Sequence, residues 1–429
     1  MPTTTTAFDV CPQCQSVLVC IPDAERWCGV CEWNLDFYEP RQRTGWVWNR
    51  IIRWDHRAGF QADRLLAELS CQDQNAPIPP GAFRFLVGVS AVLMLTMLVA
   101  FFGGVLLLVE HTGFWHVVAG LALPILALTL LPRFGRLKKL LEPGYRVPDD
   151  GAPALRGLIE RIAGEIGAPV PDVLAFDFSW NAIAVTVGVR QTRVLVLGVR
   201  LLLALQPQEL VALLGHELGH FGYGDSERIL LTRPALTVFG AYSRALRPRR
   251  GDPVDLAMQG PIAIGFQLWR LVAGTLSILL WGIHIGLNLL DARRSRRVEL
   301  RADLAAVRAA GTAATLGLVD VLAQIGSLGG YIQHHVPTGE AAATWRRMLA
   351  SVRTREAPAA PIVRQHSIRA EASLLASHPS PGRRHQWLAG LPATAPTVVL
   401  DDMLAVRIRA ETDPYAEAMH ATMLDYVTE

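Results

Sequence analysis

Apolar and polar residues are laid along this chain in two distinct textures. Phe85 to Val109 is an uncharged run of 25 residues and Phe114 to Leu131 is a second of 18. A helix needs about 20 residues to cross roughly 30 Å of hydrocarbon. The two runs therefore predict a transmembrane hairpin (residues 84–132) that turns at Glu110-His111-Thr112-Gly113. Ile262 to Leu290 is a third apolar run, interrupted by Arg270 and His284. From Gly151 the texture is that of a folded domain. An amphipathic helix is predicted over Leu155 to Ile166. Short β-rich runs follow at Val173 to Phe178, Ala182 to Val189 and Thr192 to Leu197, with a turn in Gly188 to Arg193. Pro207 can open a helix whose apolar face is Leu210, Val211, Leu213, Leu214 and Leu218, and Gly222 or Gly224 can stop it. Gly311 to Leu328 reads as another amphipathic helix, Val336 to Val363 as a loop or short insertion, and 391–429 as a mildly acidic tail. The expected fold class is α+β, mainly helical, with a small β-sheet.

Composition agrees that part of the chain lies in lipid: 51% of residues are hydrophobic and the mean hydropathy is positive. The net charge is only +3, and the arginines are scattered or flank apolar runs. No nucleic-acid partner is expected. Arg84 precedes the hairpin and Arg133, Arg136, Lys138 and Lys139 follow it, while its turn has no Lys or Arg. By the positive-inside rule both ends are cytoplasmic. Met1 to Asp9 has neither a basic leader nor an apolar core, so no signal peptide is expected.

Six cysteines fall at 11, 14, 20, 28, 31 and 71. Cys11-Pro12-Gln13-Cys14 and Cys28-Gly29-Val30-Cys31 form two Cys-x-x-Cys knuckles, the pattern of a closed four-sulfur structural zinc site. Such a site would fold a segment too small for its own core. Residues 1–38 are thus a candidate zinc ribbon, with a redox dithiol or disulfides as the other readings; Cys20 and Cys71 are expected to be passive. Residues 39–83 form a basic linker. Trp46, Trp48 and Trp54 stand there among Arg41, Arg43, Arg50, Arg53 and Arg57, either at a membrane interface or on a helix packed against the ribbon. Pro77, Pro79 and Pro80 close it.

The chemistry centres on His216-Glu217-Leu218-Gly219-His220. On a helix the two histidines lie one turn apart on one face, where both imidazoles reach a single tetrahedral ion, and Glu217 stands beside them as a base. The bland reading is a pair of surface histidines flanking a solvated glutamate. Glu299 and Asp303, four apart in a helical segment, supply a third ligand and a carboxylate that hydrogen-bonds a ligand histidine; alone they would read as an exposed helix with Arg pairing. If His220 and Glu299 bind one ion, the chain between them cannot cross a membrane an odd number of times. The run 262–290 is therefore expected to be one embedded or interfacial element. Pairing it with Ile229 to Leu246 as two spans would put Arg247, Arg249 and Arg250 outside, and Arg233, Pro234 and Arg244 weaken that partner.

These motifs, followed by Ser377-His378-Pro379 and preceded by Asn181-Ala182-Ile183-Ala184, resemble the HtpX-like and CAAX prenyl protease family of membrane-bound zinc metallopeptidases. The resemblance runs from about Leu155 to Leu388, and Ile183 stands where the family has an aromatic. It implies a zincin-like metallopeptidase domain (150–390) with the apolar insert 262–290 and a catalytic Zn2+ on His216, His220 and Glu299. It also implies that His378, and Asn181 beside it, stabilise the oxyanion or contact substrate backbone, and that an arginine follows in the next helix. The implied substrates are proteins or peptides, membrane proteins above all, taken as an added strand at the sheet edge. The implied setting is a multi-pass protein of the cell membrane acting in quality control on the cytoplasmic side. The ribbon is no part of the shared core and would serve a protein partner of its own. A catalytically inactive, membrane-tethered zinc-ribbon adaptor is the competing reading.

Overall fold

The computed structural model describes residues 10–21, 24–38, 45–72, 80–110, 113–131, 137–142, 144–188, 190–222, 225–248, 261–332, 336–376 and 378–428. Met1 to Asp9, Arg41, Arg43, Pro77, Pro79, His111, Thr112, Arg133, Arg136, Val189, Gly224, Arg249, Arg250 and Ser377, named above, lie outside them. The chain divides into two compact units. One comprises Met1–Pro77, Gly135–Ser226 and Ser295–Glu429, the other Ile78–Phe134 and Glu227–Arg294.

In chain order, β1 (Leu18–Val19) and β2 (Trp27–Cys28) form an antiparallel hairpin and α1 covers Trp46–Gln72. Then come α2 (Pro80–Glu110), α3 (Phe114–Leu130), α4 (Leu137–Leu141), β3 (Gly144–Arg146), α5 (Pro153–Ile166), β4 (Val173–Asp177), β5 (Ala182–Val187) and β6 (Thr192–Gly198). They are followed by α6 (Val199–Ala204), α7 (Pro207–Gly222), α8 (Asp225–Leu246), α9 (Pro261–Ala310) and α10 (Thr312–Leu328). The chain closes with α11 (Ala341–Glu356), α12 (Ala360–Glu371), α13 (Pro381–Ala389) and α14 (Asp402–Thr428).

In the first unit the sheet order is β3-β4-β6-β5, with β4 and β6 parallel and the other pairs antiparallel. This leaves β5 at an edge. Helix α5 presents Leu155, Leu158, Ile159 and Ile162 at helical spacing to the core, and Gly167 ends it with φ 72°. Its first N–H groups, Ala154 and Leu155, donate to the Glu411 carboxylate at 2.8 and 3.0 Å. Helix α7 is buried on nearly all sides, among α5, α10 and β5. Along it, Gly215 and Gly219 allow close approach to the end of α9. A Cβ at Gly215 would lie 3.0 Å from Ala306 Cα, and one at Gly219 3.0 Å from Ala305 Cβ.

Two expectations are corrected in this unit, and one choice left open is narrowed. Residues 336–363 are not a loop: α11 buries Trp345, Leu349 and Val352, and Arg353 clamps the buried Glu209 at 2.6 and 2.8 Å. The charge-rich outer face of α11 hides that apolar stripe. Residues 391–429 are not a loose tail, because α14 buries Ala405, Ile408, Ala416 and Met419 against the core. Of the two readings of 39–83 the packed helix is formed. Phe60 of α1 joins Trp27, Leu35, Ile368 and Ala372 in one cluster, while Trp46, Trp48 and Trp54 remain exposed.

In the second unit α2 and α3 form the predicted hairpin. A Cβ at Gly104 would lie 2.4 Å from Pro124 Cδ, so the helices meet at a small residue. Leu95, Val99, Phe102, Leu106, Leu121 and Ile125 point outward. The part of α9 that contains 262–290 packs against α8. Ser277 Oγ donates to Ser243 O at 2.8 Å, and a Cβ at Gly240 would touch the His284 ring at 2.9 Å. Small and hydroxyl residues line this contact. Among the described residues, Pro80–Glu110, Ile264–Ala310 and Thr312–Tyr331 are long and apolar enough to cross a membrane, and Phe114–Thr129 is a shorter apolar helix. The Thr312 helix packs on α7 and α13 within the first unit, so its apolar composition is that of a core helix.

Candidate metal centre

Helix α7 carries His216 and His220 one turn apart, and their rings lie 5.0 Å apart and perpendicular. The close helix contact at Gly215 and Gly219 brings up α9. There Glu299, buried, faces both imidazoles: Oε2 is 3.4 Å from His216 Nε2 and Oε1 is 3.5 Å from His220 Nε2. One donor atom from each of the three residues lies within 4.8 Å of the others. Asp303, fully buried one turn further along α9, accepts from His216 Nδ1 at 3.0 Å. That bond fixes the ring and leaves Nε2 toward Glu299.

The donor set fits a divalent metal. Two imidazole nitrogens and a carboxylate are the ligand types of zinc sites that keep an open position. Glu299 Oε2 is buried without a hydrogen-bond partner, an arrangement costly unless a cation answers it. The two imidazoles are shifted in opposite directions. Burial, followed by the charge of His216, pushes His220 down to about 4, toward the neutral imidazole a metal requires. Burial and the Arg384 guanidinium oppose protonation of His216, yet the hydrogen bond to Asp303 and the neighbouring Glu299 carboxylate push it up to about 9.

Glu217 lies on the same turn of α7, between the two histidines in sequence. Its Oε2 accepts from the backbone N–H of Ala184 at 2.9 Å, so the edge strand β5 holds the carboxylate in place. Burial raises its pKa above the usual carboxylate range. His378, largely exposed on the loop before α13, places Nδ1 2.9 Å from Glu299 Oε1. Asn181 is exposed at the start of β5; its N–H donates to Ser179 Oγ at 3.2 Å and its carbonyl accepts from Gly198 at 2.8 Å.

Two participants escape a reading of the motifs alone. Arg384 of α13, buried, donates through Nε to Asp303 Oδ2 at 2.9 Å and through Nη2 to Asp303 Oδ1, balancing the buried carboxylate behind His216. Its place shortly after His378-Pro379 is its one signal in the sequence. Ala184 acts through its backbone and has no side-chain signature.

A second group of ligand atoms lies in the ribbon. The sulfurs of Cys11, Cys14, Cys28 and Cys31 gather within 4.8 Å of one another, with Cys11–Cys31 at 3.5 Å and Cys14–Cys28 at 3.3 Å. The N–H groups of Gln13 and Val30 donate to Cys11 and Cys28 Sγ, each at 3.4 Å. Each knuckle thus turns its backbone donors toward a sulfur. The five described cysteines form no disulfide, so that reading falls away for them.

Residues 151–391 match the sequence model of Peptidase family M48. The chain is 28% identical over 211 residues to the Protease HtpX homolog of Verminephrobacter eiseniae, covering 46% of this chain and 66% of the relative. It is 29% identical over 165 residues to the Protease HtpX of Pseudomonas putida (strain KT2440), covering 38% and 54%. The matched region thus spans between 54% and 66% of these curated relatives. No solved structure matches.

Proposed function

The chain belongs to peptidase family M48, and we propose that it is a membrane-anchored, zinc-dependent endopeptidase hydrolysing protein substrates on the cytoplasmic side of the cell membrane. The observation that carries this reading is the meeting of His216, His220 and Glu299 with Glu217 fixed beside them. Those three residues would hold the metal. A zinc ion there supplies Lewis-acid polarisation of the scissile carbonyl and acidifies a water molecule. Glu217 accepts the proton of the attacking water and returns it to the leaving amine. A carboxyl raised by burial suits both directions of that transfer near neutral pH. Asp303 and Arg384 keep His216 oriented. His378 stands where an N–H can face the developing oxyanion, a contact worth a few kcal/mol in such sites. Asn181, at the start of the edge strand, is assigned to the substrate backbone.

The substrate is read as an added strand along β5, the free edge of the sheet beside Glu217. The α2–α3 hairpin anchors the chain, with Arg84 and Lys138 at its cytoplasmic ends. The exposed Trp46, Trp48 and Trp54 of α1 suit the interface. With His220 and Glu299 on one ion, the chain between them would return to the side from which it started. A site tethered there reaches loops and ends of membrane proteins, which favours a quality-control role.

In the test, Glu217→Gln is purified in detergent beside the unaltered chain. It should keep its zinc and lose casein cleavage by about 100-fold or more. Full activity in that variant refutes the assignment, and zinc without cleavage by the unaltered chain favours the tethered adaptor. Membrane proteomes of cells making the two proteins should then differ in accumulated substrates.

A further inference from the structure

The ribbon is fastened to the helices that carry the catalytic loop. Trp27 Nε1 donates to Gln365 Oε1 at 2.8 Å, and Gln365 Nε2 donates to Gly29 O, inside the second knuckle, at 2.7 Å. Arg369, buried, gives its guanidinium to the carbonyls of Glu25 at 2.7 Å and Asn34 at 2.6 Å and lies 4.6 Å over the Trp27 ring. Residue 32 makes the most directed contact. Glu32, next after Cys31, accepts two parallel bonds from Arg383 at 2.6 and 2.8 Å and a third from Gln386 at 2.9 Å. Bidentate pairs of this kind carry geometric information as well as energy.

Arg383 is adjacent to Arg384, so whatever fixes one fixes the register of the other. On the far side, Arg384 holds Asp303 and Asp303 holds His216 Nδ1. The same helices are tied down through α1. Asp55 accepts from Ser373 Oγ at 2.7 Å and from Leu374 N at 3.1 Å, at the start of the loop that bears His378. A Cβ on Gly59 would lie 2.4 Å from the Ser373 backbone, so α1 sits hard against that loop.

Trp27 and Leu35 pack outward on α1 and α12, and little apolar packing remains around the knuckles themselves. The ribbon's own buried apolar cluster is Cys11, Leu18 and Cys28, and its strands are two residues each. Segments this small fold on a metal. The sulfur separations of 3.3 and 3.5 Å are far outside disulfide range and suit a closed tetrahedral thiolate site.

We propose that Cys11, Cys14, Cys28 and Cys31 hold a zinc ion whose task is to position the catalytic site. The metal fixes the knuckle that presents Glu32, the Glu32–Arg383 pair sets the register of α13, and Arg384 thereby meets Asp303 behind His216. Glu32 and Arg383 are positioning residues; from the peptidase reading the proposal takes only the role of His216 as a ligand.

The test uses the full-length protein in detergent, stripped of metal and titrated with Co2+, whose thiolate and His/carboxylate sites absorb at different wavelengths. Casein turnover of the zinc form is measured in parallel. The unaltered chain should show both spectra. Glu32→Gln should keep the thiolate spectrum while its affinity at the His216–His220–Glu299 site falls about 10-fold, the scale of losing an outer-shell partner. Its kcat should fall with little change in KM. Arg383→Glu should do the same, and the exchanged pair Glu32→Arg/Arg383→Glu should recover part of the loss. An unaltered chain with no thiolate spectrum overturns the proposal. So do Glu32→Gln and Arg383→Glu variants whose catalytic-site affinity is unchanged. An unaltered chain that binds cobalt at both sites but cleaves nothing counts against the peptidase reading alone, because the affinity comparison still decides the coupling.

Discussion

Replacing Asp303 by Asn tests the buried assembly behind His216 without creating a cavity. Asp303 is fully buried, Arg384 is nearly so, and the carboxylate answers both the guanidinium and His216 Nδ1. The amide keeps the volume but loses the charge, and only one of its two polar atoms accepts. At least one of the three buried N–H groups the carboxylate answers loses its acceptor, and Arg384, 3.3 Å from His216 Nδ1, loses the carboxylate paired with it. Breaking a buried pair in this way costs about 3–5 kcal/mol. In a domain of this size that lowers the melting temperature by about 6 °C or more. The loss of the carboxylate on a metal-ligating histidine weakens metal binding by about 10–100-fold. Thermal unfolding of metal-free protein in detergent reads the first effect and zinc competition with a chromophoric chelator reads the second. A variant with unchanged melting temperature and zinc affinity would refute the reasoning that Asp303 holds both partners.

Other expectations are as direct. Gly219→Val pushes a branched side chain into Ala302 and Ala305, where even a Cβ has only 3.0 Å, and should separate α7 from α9. Overpacking of this kind costs about 1–3 kcal/mol, and a fall in zinc content measured by mass spectrometry should accompany it. Ala184→Pro removes the N–H that holds Glu217 on the free side of an edge strand, where the ladder to β6 does not need it. The protein should fold and bind zinc normally by circular dichroism and metal analysis, with a lowered kcat. A strong chelator should abolish casein cleavage, with zinc restoring it.

The residues legible in the sequence are those whose spacing is itself the chemistry. His216 and His220 one turn apart, Glu299 and Asp303 one turn apart, and the paired Cys-x-x-Cys knuckles need only a helix or a turn to be placed, and the structure gathers the three ligands. The uncharged runs at 85–109 and 114–131 were legible for the same reason, since length and composition decide them. What stayed hidden depends on partners distant in the chain. Gly215 and Gly219 look like poor helix formers until α9 lies against them, and the resemblance that implies an arginine after His378-Pro379 does not choose between Arg383 and Arg384 or name Asp303 as its partner. Ala184 contributes only an N–H. In α11 and α14 the apolar positions do recur at helical spacing, but dense charge between them masks the stripe until Trp345 and Ile408 are seen buried. The pairing of α8 with α9 was weighed in the sequence and set aside on the flanking arginines, whereas the contact rests on Gly240, Ser243 and Ser277.

The central claim, one divalent ion shared by His216, His220 and Glu299, is tested most directly by zinc counted per chain in the unaltered protein and in Glu299→Leu, with folding checked by melting temperature. The account predicts a Glu299→Leu chain that stays folded and loses the zinc of this site while keeping that of the four thiolates. A folded Glu299→Leu chain with the same zinc as the unaltered protein would contradict it.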